Sequence, residues 1–172
     1  MWPFKQIKEW FFPKQYLEYR DSVVTLVAYL PVGDISALFT WEELHIPYRY
    51  DTDTGKKDGK YDRLQNYNGA DLTIKAKGGD CESKASVFVE VGNSPEWTAA
   101  GWSFRHILMV YADYTAHDVA LYTGPKGQTG WFDGAIYSGD YSAMKKHYDS
   151  IGWYITYWAV VNDIGQIITE ID

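Results

Sequence analysis

The sequence predicts an α+β domain. Segments with apolar residues at helical spacing fall in the first half of the chain, and alternating runs of β-formers dominate beyond residue 100. At 172 residues the chain is long enough to bury a real core and is read as one domain. Its three parts are a helical N-terminal part over 1–45, a core over 46–137 and a C-terminal helix and hairpin over 138–172.

QYLEYRDSVVTLVAYL (15–30) repeats Tyr16, Tyr19, Val23, Leu26, Val27 and Leu30 at helical spacing and stops at Pro31. A second helix over 34–45 has Asp34 or Ser36 as its cap. IPYRYDTDTGKKDGKY (46–61) reads as a short aromatic strand and a polar, glycine-bearing loop that could close a hairpin. Asp80 is placed to cap a helix over 80–91, and Gly92 stands where it would stop. Strands are expected at FRHILMVYA (104–112), HDVALY (117–122) and WFDGAIY (131–137), with TGPKGQTG as the turn between the last two. A short helix over 140–151 precedes a closing hairpin made of 152–161 and 166–171.

Composition narrows the function. A net charge of -7 argues against nucleic acid, whose binding rests on Lys and Arg neutralising phosphates. One cysteine excludes an internal disulfide framework and a multi-cysteine zinc site. The start, MWPFKQIKEWFFPKQ, has no continuous apolar stretch of signal-peptide type, and VVTLVAYL (23–30) is far short of the roughly 20 residues of a bilayer span. The expectation is a cytoplasmic protein with no membrane span. Trp2, Phe4, Ile7, Trp10 and Phe11 beside Lys5 and Lys8 suit an interfacial helix, but packing on the chain's own domain is favoured. The chain holds 15 Tyr, 8 Trp and 7 Phe, which suit half-buried sheets and groove walls.

The single cysteine, Cys81, lies in GGDCESKASVFVEV (78–91). A lone thiol is most often a small buried hydrophobe. Here Gly78 and Gly79 would leave space above it for a substrate. An Asp80 cap would put it in the first helical turn, where free N–H groups and the positive end of the helix dipole favour a thiolate. Asp80 and Glu82, being anionic, oppose this. Of the four histidines, His117 opens a strand and can sit at the sheet rim. His106 looks like a strand-interior residue, and His45 and His147 have no obvious orienting acid. With the turn centred near Pro125, positions 117 and 133 face each other, so Asp133 can fix the tautomer of His117 as the acid of a triad does.

GGDCESKA resembles the nucleophile motif of the bacterial transglutaminase-like cysteine proteinases, in the wider transglutaminase-like and papain-like superfamily. AHDVALYTGPKGQTGWFDG resembles that family's His strand, turn and aromatic-x-Asp strand, and IPYRYD…YDRLQNYNGADLTIKAKGGDC resembles its approach to the cysteine. The likeness spans roughly 46–137. It implies a papain-like or transglutaminase-like core, with a helix carrying the cysteine packed on an antiparallel sheet carrying the histidine and aspartate. It implies Cys81 as nucleophile, His117 as base then acid, Asp133 as orienter and Gln65 as an oxyanion-hole donor. No cofactor is expected. Some relatives bind calcium through acids flanking the cysteine, which makes Asp80 and Glu82 the calcium candidates, but Ser83 stands where a further carboxylate is often found. DTDTGKKDGK matches an EF-hand loop only at Asp51 and Asp53, and a solvated loop is the better reading.

The expected activity is acyl transfer through a thioester on Cys81, with peptide or protein substrates. Hydrolysis of a peptide or amide bond comes first and transamidation second. One rival is a peptidoglycan endopeptidase of the NlpC/P60 type, whose Asp-Cys-Ser-Gly motif the chain lacks. Another is a non-catalytic binding or virion protein on a degenerate scaffold. The second would be favoured by a thiol sealed under side chains or out of hydrogen-bond range of His117.

Overall fold

The computed structural model describes residues 21–49, 70, 73–74, 77–113, 115–161 and 167–171. Outside them lie the N-terminal stretch to residue 20, most of the 46–61 strand and loop, Asp51, Asp53, Gln65 and the turn of the closing hairpin. The elements are α1 (Asp21–Tyr29), α2 (Ile35–His45), α3 (Cys81–Gly92), α4 (Pro95–Ala99), β1 (Ser103–Tyr111), β2 (Ala116–Thr123), β3 (Thr129–Phe132), β4 (Ile136–Ser138), α5 (Tyr141–Ser150), β5 (Ile155–Val161) and β6 (Ile167–Ile171). The six strands form one antiparallel sheet in the order β4-β3-β2-β1-β5-β6. The fold class is α+β, as the sequence predicts.

Strand alternation divides the core between the two faces of the sheet. Phe104, Ala120, Tyr122 and Phe132 face α3 and pack with Ala85, Phe88 and Val89. The Phe88 and Phe132 rings stack with centroids 4.0 Å apart. Ile107, Met109, Val119, Leu121 and Trp131 face the other way and pack with Met144 and Tyr148 of α5. Both faces are covered at the centre, so β1 and β2 read as nearly continuous apolar runs.

Of the predicted caps, Asp34 makes its bond, and Asp140 is a cap the sequence reading did not name. The Asp34 carboxylate accepts from the Ala37 N–H at 2.9 Å and starts α2. Asp140 does the same for α5 through the Ala143 N–H at 3.1 Å. Gly92 is the last residue of α3 rather than the residue beyond it, and Asn93 takes the C-cap position. Glycine is needed there for packing: a Cβ at 92 would run into the buried Phe104 ring.

The predicted strand 131–137 is two strands. It breaks at Asp133-Gly134-Ala135, with Gly134 at φ +61, and β4 folds back on β3. The predicted strand 152–161 starts only at Ile155, because Gly152 at φ +83 turns the chain just after α5. Helix α4 was hidden by its length of five residues. Tyr48 forms a parallel bridge with Gly79, which ties 46–49 to the approach to Cys81; the hairpin expected over 46–61 lies largely outside the described residues.

Glu42 of α2 is fully buried, with Lys84 of α3 at 3.2 Å, while Lys84 also bonds Glu43 at 2.7 Å. Burial pushes the Glu42 carboxyl up to about 8 despite the Lys84 charge. The folded protein therefore holds this proton more tightly than the unfolded chain, and stability falls as pH rises from about 4.5 towards about 8. Melting temperatures measured across that window should fall in the wild type, and the slope should flatten in Glu42→Gln. Gly92→Ala should lower the denaturant-derived stability. Overpacking a filled core costs about 1–3 kcal/mol, against a gain in helix propensity of about 1 kcal/mol at most.

Candidate functional site

Cys81 is the first residue of α3, and the chain reaches it along a short pairing with 47–49. The Arg49 N–H donates to the Gly79 carbonyl at 3.0 Å, and the Gly79 N–H to the Pro47 carbonyl at 3.4 Å. The glycines before the cysteine do not provide clearance for a substrate. A Cβ at Gly78 would lie 2.5 Å from Arg49 Cδ, and one at Gly79 would strike the Ser83 Cβ. Their space is filled by the protein's own side chains. Asp80 occupies the N-cap position with extended backbone, but its side chain makes no capping bond. The first-turn N–H groups are thus not taken up by the cap carboxylate.

The thiol is half-buried and packs against the cluster of Leu108, Val110 and Val161 that also takes in Ala116. Strand β3 ends at Phe132, opposite Ala120, so its pairing with β2 does not reach 116–118. Ala116, one residue before His117, packs on the same cluster as the thiol there. Among the described residues, the thiol's hydrogen bond runs to Glu82 Oε2 at 3.2 Å, and none joins it to the His117 ring. Glu82 is 5% exposed, so it is not turned to solvent. Burial raises the thiol pKa well above its ordinary value. Glu82 and then Asp80 raise it further, and the Asp118 N–H offsets only part of this. The thiol is protonated at neutral pH.

His117 and Asp133 meet as expected: His117 Nε2 lies 2.9 Å from Asp133 Oδ1. The register differs from the predicted one. Ala120 pairs with Phe132 and Leu121 with Trp131, so the turn centres on residue 126, and position 133 would fall opposite 119. Asp133 reaches His117 diagonally from the bend after β3, where its own N–H donates to the Ala135 carbonyl at 3.0 Å. Tyr148 of α5 supplies a second bond, donating its hydroxyl to Asp133 Oδ2 at 2.6 Å. Burial pushes the Asp133 carboxyl up, but the His117 and Tyr148 bonds and the nearby His147 outweigh it and hold the carboxyl below its usual range. An ionised Asp133 can only accept, so the neutral His117 ring carries its proton on Nε2 and presents Nδ1 as the base.

His106 is a strand-interior residue, as expected, and it is paired. Its Nδ1 lies 2.7 Å from Asp118 Oδ2, with both side chains fully buried on the α3 side of the sheet. Burial raises the Asp118 carboxyl against the pull of His106. The sequence signal was a charge inside the apolar run HDVALY, which requires a buried partner on the same face. His45 is elsewhere, with Nδ1 2.7 Å from the Trp41 carbonyl.

A cavity of about 380 Å³ opens between the 111–117 turn and the 152–154 loop, with His117 and Tyr111 in one wall and Trp153 and Tyr154 in the other. Trp153 is 45% and Tyr154 61% exposed. The Trp153 ring stands edge-on to His117 at 5.9 Å and stacks on Tyr148 at 6.1 Å. Among the described residues no group of three or more His, Cys, Asp or Glu side chains is placed to hold a metal ion. Asp80 and Glu82 flank the thiol as buried acids without forming such a set.

The Glu82 contact sets a testable reactivity. In the wild type, alkylation of Cys81 by iodoacetamide should be slow at neutral pH and rise with pH into the alkaline range. Glu82→Gln removes an adjacent negative charge and should raise the neutral-pH rate by about tenfold, read by intact mass over time.

Compared with protein-family models, with curated proteins and with solved structures, the chain shows no match.

Proposed function

We propose that the protein is a thiol-dependent acyl-transfer enzyme of transglutaminase-like or papain-like type. Cys81 is the nucleophile, His117 the general base and acid, and Asp133 the orienter. The observation that carries this reading is the His117–Asp133 bond at 2.9 Å on β2, the strand whose first residue, Ala116, packs on the same apolar cluster as Cys81.

In the proposed cycle the thiol turns from Glu82 and gives its proton to His117 Nδ1. The sulfur attacks the substrate carbonyl carbon, and the carbonyl π pair moves onto oxygen. First-turn N–H groups of α3 offer hydrogen bonds to that oxyanion. The C–N bond then breaks, and its electron pair takes the proton from His117, so the amine leaves and a thioester remains on Cys81. Water, activated by the same imidazole, hydrolyses the thioester to a carboxylic acid and restores the thiol. An amine in place of water would give transamidation; hydrolysis of a peptide or amide bond is the first reading. The aromatic-walled cavity beside His117 suits a peptide side chain.

One observation favours a non-catalytic binding protein instead: the thiol is protonated and bonded to Glu82, not to the imidazole. Turnover of a quenched-fluorescent peptide mixture separates the two. Cys81→Ala and His117→Ala should abolish hydrolysis with melting temperatures near wild type, while Asp133→Asn should lower kcat by roughly 10⁴, as when an orienting acid is lost from a triad. Hydrolysis that survives Cys81→Ala would remove the proposal.

A further inference from the structure

We propose that Tyr148 is a positioning residue for the His117–Asp133 pair: its hydroxyl pins the second oxygen of the Asp133 carboxylate, so that α5 completes a site the 46–137 core does not fix by itself. The use of His117 as a base rests on the acyl-transfer reading; the pinning does not. Asp133 is not held by the sheet. The β2–β3 ladder ends at Ala120–Phe132 and the β3–β4 ladder at Phe132–Ile136, so position 133 has no strand partner. Gly134 follows at φ +61, and the Asp133 N–H bonds within the bend to the Ala135 carbonyl. The last torsion of an aspartate side chain is broad and roughly two-fold. One bond from Oδ1 to a partly exposed imidazole does not set it.

Tyr148 supplies the fixed point. It lies in the last turn of α5, fully buried in the cluster that holds Met109, Met144 and Trp158. Asp140 caps the start of that helix, and the Tyr148 carbonyl accepts from the Trp153 N–H at 2.9 Å. The hydroxyl donates to Asp133 Oδ2 at 2.6 Å, the short distance of a bond to a charged acceptor. Burial, and then the Asp133 charge, raise the Tyr148 pKa, so the hydroxyl keeps its proton and donates it to the bond. With Oδ2 on Tyr148 and Oδ1 on His117, the plane of the carboxylate is set. The Trp153 ring stacks on Tyr148 and stands edge-on to His117, so one side chain packs against both partners of the carboxylate. The chemical consequence lies on the imidazole. A carboxylate held at Nε2 keeps the proton there and leaves Nδ1 bare; a carboxylate free to swing lets the neutral ring take the other tautomer, which has no base at Nδ1.

The test is Tyr148→Phe, which keeps the ring and removes the hydroxyl. Nitrogen NMR of labelled histidine, at a pH where the imidazole is neutral, reads which ring nitrogen carries the proton. The wild type should show His117 protonated on Nε2, and Tyr148→Phe should show a mixture with a substantial Nδ1–H form. In peptide hydrolysis kcat should fall about tenfold with KM little changed, because the cavity walls remain. A side chain that only fills the core would lower the melting temperature and leave the tautomer alone, so an unchanged tautomer overturns the proposal. The reverse measurement compares the wild type with Asp133→Asn and holds even if Tyr148→Phe does not fold. The Tyr148 hydroxyl proton should resonate far downfield in the wild type and move upfield once its acceptor is neutral. A resonance indifferent to Asp133→Asn also overturns the proposal. Neither spectrum needs a substrate. A shifted tautomer in a protein that turns over no acyl substrate would therefore count against the acyl-transfer reading and leave the role of Tyr148 standing.

Discussion

The arrangement depends on the contact between the first turn of α3 and the open edge of β2. Three constraints bring them together. The Phe88–Phe132 stack and the Gly92–Phe104 contact press the body of the helix onto the sheet. Lys84 ties it to α2 through Glu42 and Glu43. The pairing of 47–49 with Gly79 fixes the chain just before it. With the helix held along its length, Cys81 packs on the Leu108, Val110 and Val161 cluster that also takes in Ala116, where β3 has already stopped.

Strand β2 then carries two histidine–carboxylate pairs on its two faces, because adjacent residues of a strand point opposite ways. His117 joins Asp133 on the α5 side, with Tyr148 as a second donor and an aromatic cavity beside it. Asp118 joins His106 on the α3 side, away from solvent. The first pair is partly buried at the wall of that cavity. The second is sealed, and it compensates the burial of two polar groups where β1 and β2 pass under the helix. Burial first, and then the acids that crowd the sulfur, push the thiol pKa up and keep the resting thiol neutral. Catalysis on this scaffold would start from a thiol that must turn towards its base, not from a standing thiolate–imidazolium pair.

The class of the fold and most of its strands were legible because period-2 alternation and helical spacing are local signals. The diagonal His117–Asp133 contact was legible from parity alone: 117 and 133 are both odd and share a face under either register. The register itself was not, since it depends on whether the turn centres on 125 or 126, and TGPKGQTG allows both. The break at Gly134 looked like alternation because Trp131, Asp133 and Ala135 keep the right parity across it. The glycines before Cys81 were misread because nothing local shows that Arg49 and Ser83 fill their space. The charge of Glu82 opposes an activated thiol on sequence alone, and its burial against the sulfur is a tertiary fact. Gln65 and the loop with Asp51 and Asp53 lie outside the described residues.

The account stands or falls on a covalent acyl intermediate at Cys81. The direct measurement is intact-protein mass after brief incubation with a mixed peptide-amide pool and an acid quench. The account predicts an acyl adduct on Cys81 that hydroxylamine removes, that is absent in Cys81→Ala, and that decays with the release of free acid. Peptide cleavage without any adduct, or a hydroxylamine-labile adduct on another residue, would contradict it.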